Sequence, residues 1–155
     1  MSSQARGAPI PPPIAMVLAG VVAWLLSRFA PGLALHFPLH RVLAVLITLT
    51  GIALAIVAKH TFDRAGTTVN PLRPDEATQL VTTGVVRHSR NPMYVGQCLA
   101  LAGWCMWLDN GLGWIAVPML VVYLTLFQIK PEERVLAAKF GEAYDLYRAR
   151  VRRWF

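Results

Sequence analysis

The side chains that could support chemistry are concentrated where a short polar segment runs directly into an apolar one. Residues 87–96 read Arg-His-Ser-Arg-Asn-Pro-Met-Tyr-Val-Gly. The residue before a proline favours extended backbone, and proline is tolerated in the first turn of a helix, so a loop is predicted to become a helix at Asn91-Pro92. A helix start exposes unpaired N–H groups at the positive end of its dipole, and two arginines and a histidine lie just upstream. This segment is therefore predicted to attract an anionic group.

The C-terminal tail opens with a second polar segment, Lys-Pro-Glu-Glu-Arg at residues 130–134. Its proline suits the first turn of a helix, and the helix dipole favours carboxylates there, so capping accounts for one of Glu132 and Glu133. A stripe of apolar residues at three-and-four spacing follows, which predicts an amphipathic helix pair, broken near Gly141, that lies against the membrane or the bundle. The stripe consists of Leu136, Phe140, Tyr144, Tyr147 and Val151.

The histidines and cysteines do not predict a metal site. His36 and His40 flank Pro38, and no acidic or thiol ligand is near, so they are interpreted as interfacial polar residues. Cys98 and Cys105 share one face of an apolar helical segment. This pattern favours small buried hydrophobic side chains over a disulfide framework.

The composition is typical of a membrane protein. The 155 residues are 55% hydrophobic and 15% charged, and the mean hydropathy is positive, which is too apolar for an ordinary soluble domain of this size. The formal net charge is +7. Because the basic residues lie in loops and in the tail, anionic lipid headgroups explain them better than nucleic acid does, and no nucleic-acid partner is expected.

The predicted fold is all-α, an integral membrane helical bundle with about four transmembrane helices and a cytoplasmic C-terminal amphipathic helix region. Apolar runs of sufficient length to cross most of a bilayer core place the spans near residues 14–30, 42–58, 93–108 and 112–129. The remaining segments are predicted to be a flexible lead at 1–13, a cytoplasmic loop at 59–91 and a cytoplasmic tail at 130–155. Residues 14–155 are predicted to form a single domain.

The distribution of lysine and arginine predicts the orientation. Five of these residues lie in or beside the loop at 59–91, seven follow the fourth apolar run, and the turn at Asp109 has none. By the positive-inside bias, the loop, the tail and both termini should face the cytoplasm of a bacterial-type inner membrane. The loop and the tail can then meet on one side of the membrane and form a composite site.

Three ordered motifs carry a resemblance to a known family. They are Leu-Val-Thr-Thr-Gly at 80–84, Ser-Arg-Asn-Pro-Met-Tyr-Val-Gly at 89–96 and Glu-Glu-Arg-Val-Leu-Ala-Ala-Lys-Phe-Gly-Glu-Ala-Tyr at 132–144. Together they resemble the isoprenylcysteine carboxyl methyltransferase and phospholipid methyltransferase superfamily of integral membrane enzymes. The match covers roughly the C-terminal half, and the order and spacing of the three motifs make it more specific than any single motif.

The resemblance implies S-adenosylmethionine as the methyl donor, held by the long loop, the proline-containing turn and the paired glutamates. It implies donor-binding roles for Gln79, Leu80, Val81, Asn91, Pro92, Met93, Tyr94 and Glu132. It implies catalytic roles for Arg90 and Glu133. Two positions depart from the isoprenylcysteine enzymes: Asn91 replaces a histidine, so no histidine base is implied, and Gln128 replaces an arginine at the position that contacts the substrate.

The residue types agree with that implication. S-adenosylmethionine carries a sulfonium, an ammonium and a carboxylate. Arg90 and the N–H groups of a helix start complement the carboxylate, and Glu132 or Glu133 complements the ammonium or the ribose hydroxyls. No metal is needed for methyl transfer of this kind.

Three functions are compatible with these observations. The first is methyl transfer to a lipophilic acceptor, either an isoprenylcysteine-like carboxylate or another lipid-soluble carboxylate, thiol or amine. The second is N-methylation of a phosphatidylethanolamine-like amine. The third is a small four-helix transporter or structural membrane protein, although the first two spans lack the acidic residue expected of a cation-coupled transporter. The expected partners are the lipophilic substrate and membrane lipids, with no protein partner.

Overall fold

The computed structural model describes residues 10–35, 38–67 and 77–155. The α-helices of these ranges are α1 (Pro12–Phe29), α2 (His40–Arg64), α3 (Pro92–Leu108), α4 (Ala116–Tyr123), α5 (Lys130–Phe140) and α6 (Glu142–Arg150). Short 3-10 turns at Pro31–Leu33, Gly84–Arg87 and Gly111–Ile115 and a π-type turn at Leu124–Ile129 connect them. The described ranges contain no strand, only an isolated bridge between Ala34 and Asn110. The predicted all-α membrane bundle is confirmed.

Within the described ranges, three helical stretches are long and apolar enough to cross a membrane, namely Pro12–Phe29, His40–Arg64 and Gly111–Phe140. The remaining predicted span is α3, which at 17 residues is shorter than these three. The lead predicted at 1–13 ends earlier than expected, because α1 already begins at Pro12. Proline fits there since a first-turn residue needs no helical N–H bond. Residues 1–9 of that lead, and His36, lie outside the described residues.

Two helix boundaries differ from the prediction. Helix α2 continues past residue 58 to Arg64, and Lys59 and Asp63 form an exposed ion pair one turn apart, at 2.6 Å, on this polar extension. The fourth span does not stop at residue 129, since the chain stays helical through α5. In a regular α-helix, the ring of Pro131 would clash with the backbone carbonyl four residues earlier. The π-type turn just before Pro131 widens the helix and makes room for the ring.

Helices α2 and α3 pack with their backbones in contact. A Cβ atom added to Gly51 would lie 2.5 Å from the Gly96 carbonyl oxygen, and one added to Gly103 would lie 2.7 Å from the Ala44 carbonyl oxygen. Small residues at helix interfaces are typical of membrane bundles, because they let two helix backbones come close enough for van der Waals contact. Helix α2 thus packs chiefly on α3, while α1 packs on α3 and on residues 111–123.

Both α1 and α3 end at the same face of the bundle. There Asn110 Nδ2 donates to the Ala30 carbonyl oxygen at 2.7 Å, and the Leu35 N–H donates to the Asp109 carbonyl oxygen at 3.0 Å. The start of α3 and the C-terminal tail therefore lie at the opposite end, together with the start of α1. This arrangement agrees with the predicted topology, in which both termini lie on the same side of the membrane. That this side is the cytoplasm stays a prediction.

The tail helices α5 and α6 are separated at Gly141, as predicted, and its φ of +51° suits glycine best. The apolar stripe does not face lipid alone. Tyr144, Tyr147 and Val151 form a buried cluster against Leu80 of the long loop and against α5. The tail and the loop are thereby fixed to each other beside the start of α3.

Candidate functional site

A cavity opens where the long loop, the start of α3 and the tail helices meet. Every residue predicted to bind the donor lines it, and so does Arg90. Gln128 and Glu133 are not among the lining residues, but each contacts one that is. The lining residues are Phe62, Thr67, Ala77, Gln79, Leu80, Val81, Arg90, Asn91, Pro92, Met93, Tyr94, Glu132, Leu136 and Tyr147.

Glu132 is held at the cavity wall by two side chains from the helices around it. The Tyr94 hydroxyl donates to Glu132 Oε1 at 2.7 Å, and Gln128 Nε2 donates to the same oxygen at 2.5 Å. Gln128 itself is buried, with 1% of its surface exposed. The structure therefore places Gln128 behind Glu132 rather than at the cavity surface, and the carboxylate orientation is fixed before any ligand arrives.

Arg90 and Glu133 form a buried ion pair beside the cavity. Arg90 Nη2 lies 3.0 Å from Glu133 Oε1, and the side chains are only 8% and 14% exposed. Arg153 approaches the same carboxylate from the other side, with Nε 3.0 Å from Oε1 and Nη2 2.7 Å from Oε2. Glu133 is thus neutralised by two guanidinium groups.

Two donors of Arg90 remain unused. Its Nε and Nη1 atoms are buried and have no hydrogen-bond partner among the described residues. Leaving a buried charged donor unpaired costs free energy, so native structures pair such groups with a protein or ligand acceptor. Arg90 also contributes to the lining of the cavity, and no acceptor in the described part of the chain serves these two atoms.

Asn91 occupies the position at which α3 begins, as predicted. Its carbonyl oxygen accepts from the backbone N–H groups of Tyr94 and Val95, each at 3.0 Å. Its side-chain Nδ2 donates to the Arg153 carbonyl oxygen at 2.9 Å. The amide therefore ties the helix start to the C-terminal segment, and this bond gives Asn91 a positioning role.

The other basic residues of this segment do not reach the cavity. Arg87 Nε donates to His88 Nε2 at 3.0 Å, and this pair is exposed. Both residues sit in or beside the 3-10 turn Gly84–Arg87, which turns them away from the wall that Arg90 forms. Of the three basic residues before Pro92, only Arg90 belongs to the site.

The loop that closes the cavity folds back on the end of α2. The side-chain amide of Gln79 donates to the Ala65 carbonyl oxygen, and the Thr78 N–H donates to Thr67 Oγ1 at 2.9 Å. Gly66 next to them has a φ of +65°, which allows the chain to turn out of the helix. These bonds hold Gln79, Leu80 and Val81 in place as a wall.

Tyr147 and Arg153 are among the residues of the site that were not predicted from the sequence. Tyr147 lines the cavity, and its hydroxyl donates to the Val86 carbonyl oxygen at 2.7 Å. Burial raises the pKa of Tyr147 to about 12, so the phenol stays neutral and remains a donor. Arg153 binds Glu133, and no local sequence pattern separates it from Arg152.

The cysteines and acidic residues do not form a metal centre in the described ranges, where no group of three or more His, Cys, Asp and Glu side chains lies together. Cys105 is buried in α3, and its Sγ lies 3.4 Å from the Gly113 carbonyl oxygen. Its thiol packs against the turn that precedes α4.

A family model described as phospholipid methyltransferase matches residues 39–143. An uncharacterized protein from Haemophilus influenzae (strain ATCC 51907 / DSM 11121 / KW20 / Rd) is 42% identical over 62 residues, which are 40% of this chain and 98% of that protein. No solved structure matches the chain. The family match includes the cavity residues from Phe62 to Leu136, whereas Tyr147 and Arg153 lie beyond it.

Proposed function

Because the chain belongs to the phospholipid methyltransferase family, we propose that it is an S-adenosylmethionine-dependent methyltransferase that acts on a lipophilic acceptor within the membrane. The observation that carries the proposal is the presence of a basic and an acidic side chain in the lining of one cavity. Arg90 has two guanidinium nitrogens without a partner in the described residues, and Glu132 is held by two side chains. The amino-acid end of the donor carries the complementary carboxylate and ammonium.

The residues of the cavity fit this donor. Arg90 Nε and Nη1 suit its carboxylate, and Glu132 suits its ammonium or ribose hydroxyls. The walls near the purine would be the apolar side chains of Leu80, Val81 and Met93. The donor supplies an electrophilic methyl group on a sulfonium, and no metal is required for its transfer.

The protein contributes alignment and the exclusion of water. Methyl transfer is an in-line displacement, and holding two reactants in the correct geometry contributes roughly 7–11 kcal/mol in favourable cases. Tyr147, from the buried tail cluster, forms part of the cavity wall. Both oxygens of Glu133 are already engaged by Arg90 and Arg153, so its proposed role is to hold Arg90 rather than to act as a base.

The acceptor is proposed as a class. It is a lipid-soluble carboxylate, thiol or amine that reaches the cavity from the bilayer, and a phosphatidylethanolamine-like amine is the alternative that the family description favours. Gln128, proposed from the sequence to contact the substrate, is buried behind Glu132 and better explained as its support. The proposed setting is a bacterial-type inner membrane with both termini cytoplasmic.

The first test is a calorimetric titration of S-adenosylmethionine and S-adenosylhomocysteine into the purified protein in detergent. Saturable binding of both ligands is expected, and Arg90→Ala should abolish this binding. Arg87→Ala should leave it unchanged, because Arg87 is exposed and lies outside the cavity. Absence of binding to folded wild-type protein would overturn the proposal. Labelled methyl donor added with vesicles that contain phosphatidylethanolamine, or with a total lipid extract, then identifies the acceptor by which product carries the label.

A further inference from the structure

The last residues of the chain lie directly on the turn that carries Arg90. We call residues 151–155 the C-terminal strap. The Arg90 N–H donates to the Arg152 carbonyl oxygen at 3.0 Å, and Asn91 Nδ2 donates to the Arg153 carbonyl oxygen at 2.9 Å. The Ser89 hydroxyl lies 3.4 Å from the same carbonyl oxygen. Three consecutive residues of the turn are thus fixed to the strap.

One side chain of the strap also reaches the ion pair beside the cavity. Arg153 binds both oxygens of Glu133, at 3.0 and 2.7 Å. A bidentate arginine fixes the plane of a carboxylate, which a single contact does not. Glu133 in turn holds Arg90 Nη2 at 3.0 Å. The orientation of Arg90 therefore depends on a chain of contacts that begins at Arg153.

The strap is itself anchored. Val151 is buried with Tyr144 and Tyr147, and Trp154 packs against the apolar core that α1, α3 and α4 share. Phe155 is 76% exposed, so the fixed part ends at Trp154. The bonded carbonyl groups and the Arg153 side chain lie between these two anchors, which limits their movement.

We propose that Arg153 is a positioning residue that sets the direction in which Arg90 presents its unpaired N–H groups to the carboxylate of the methyl donor. The proposal rests on the proposed function for the identity of the ligand. It extends the site beyond residues 39–143, where the family match ends. Arg153 does not itself line the cavity, so its influence on the ligand passes through Glu133 and Arg90.

The test compares Arg153→Ala, Arg153→Lys and the matched control Arg152→Ala in the full-length protein in detergent. The control removes an exposed arginine one position away and keeps the backbone carbonyl that Arg90 uses. Two ligands are titrated, S-adenosylhomocysteine and 5′-methylthioadenosine, which lacks the amino-acid end. Hydrogen exchange of the peptide that contains residues 84–92 reports on the turn without any ligand.

For Arg153→Ala we expect affinity for S-adenosylhomocysteine to fall about tenfold, the order of one charge-assisted hydrogen bond, with unchanged affinity for 5′-methylthioadenosine. Exchange of the Arg90 amide should accelerate. Arg153→Lys should give intermediate values, since it keeps the positive charge and loses the planar guanidinium group. If the alanine variant does not fold, the lysine variant decides whether Arg153 positions Arg90. Arg152→Ala should behave as wild type.

Three outcomes would overturn the proposal. The first is wild-type affinity and wild-type hydrogen exchange in Arg153→Ala. The second is an equal loss of affinity for both ligands, which would indicate a general loss of structure. The third is an equal effect of Arg152→Ala and Arg153→Ala, which would indicate that only the net charge matters. If the wild type binds neither ligand, the proposed function fails. Exchange at residues 84–92 still measures whether Arg153 holds the turn.

Discussion

The substitution Arg90→Lys tests the site most directly. In the wild type, Arg90 Nη2 pairs with Glu133 at 3.0 Å, while Nε and Nη1 are buried without a partner among the described residues. Lysine retains the positive charge and can keep the ion pair with Glu133. It has no planar fork, so it cannot at the same time present two parallel donors to a ligand carboxylate.

The expected magnitude follows from the number of bonds lost. A hydrogen bond to a charged group contributes about 1.5–3 kcal/mol. Losing the equivalent of one such bond should weaken binding of S-adenosylhomocysteine roughly 10- to 150-fold. The stability of the ligand-free protein should change much less, because N–H groups without an acceptor contribute nothing favourable until a ligand arrives.

Calorimetry and thermal unfolding of the same detergent-solubilised samples provide the two measurements. Arg87→Lys is the matched control, since Arg87 is exposed and pairs with His88 outside the cavity. Wild-type affinity in Arg90→Lys would show that the guanidinium does not contact the donor. A loss of stability that accounts for the loss of affinity would show that Arg90 acts only in folding.

Three other predictions concern the fold, the donor site and the topology. Gly51→Ala places a Cβ atom 2.5 Å from a backbone carbonyl oxygen of α3 and should destabilise the protein by about 1–3 kcal/mol in thermal unfolding, whereas Gly32→Ala, with nothing within 4 Å, should leave the melting temperature unchanged. Glu132→Gln should reduce affinity for S-adenosylhomocysteine by about 1.5–3 kcal/mol in calorimetry, because the amide offers no charge to the ligand ammonium; unaltered affinity would remove Glu132 from the donor site. Alkaline phosphatase fused after residue 110 should be active and after Phe155 inactive, and the reverse pattern would invert the proposed orientation.

The start of α3 and the assembly of the cavity could be predicted because the signals are local. Proline in the first turn marks the helix start at Pro92, and glycine with positive φ separates the tail helices at Gly141. The three motifs contain nine of the fourteen residues that line the cavity. The π-type turn at Leu124–Ile129 has no comparable signal, because it depends on how the helix accommodates Pro131 within the bundle.

Packing partners were harder to predict than helix faces. Gly96 and Gly103 share a face of α3, which the sequence shows, but the sequence does not show which helix packs on that face. The structure places α2 against them, with Gly51 and Ala44 in backbone contact. A row of small residues indicates that another helix packs closely there, but any helix with a matching row of small residues could be that neighbour.

The paired glutamates Glu132 and Glu133 show why contacts between residues distant in the sequence are needed to assign a role to each side chain. Consecutive residues of a helix point about 100° apart, so Glu132 and Glu133 cannot both face one cavity, and the sequence does not tell which one does. The structure turns Glu132 to the cavity, with Tyr94 and Gln128 on its Oε1, and turns Glu133 to Arg90 and Arg153. Because two arginines bind Glu133, we expect this carboxylate to support the site rather than to perform its chemistry, and the position of the C-terminal strap is what suggests that distinction.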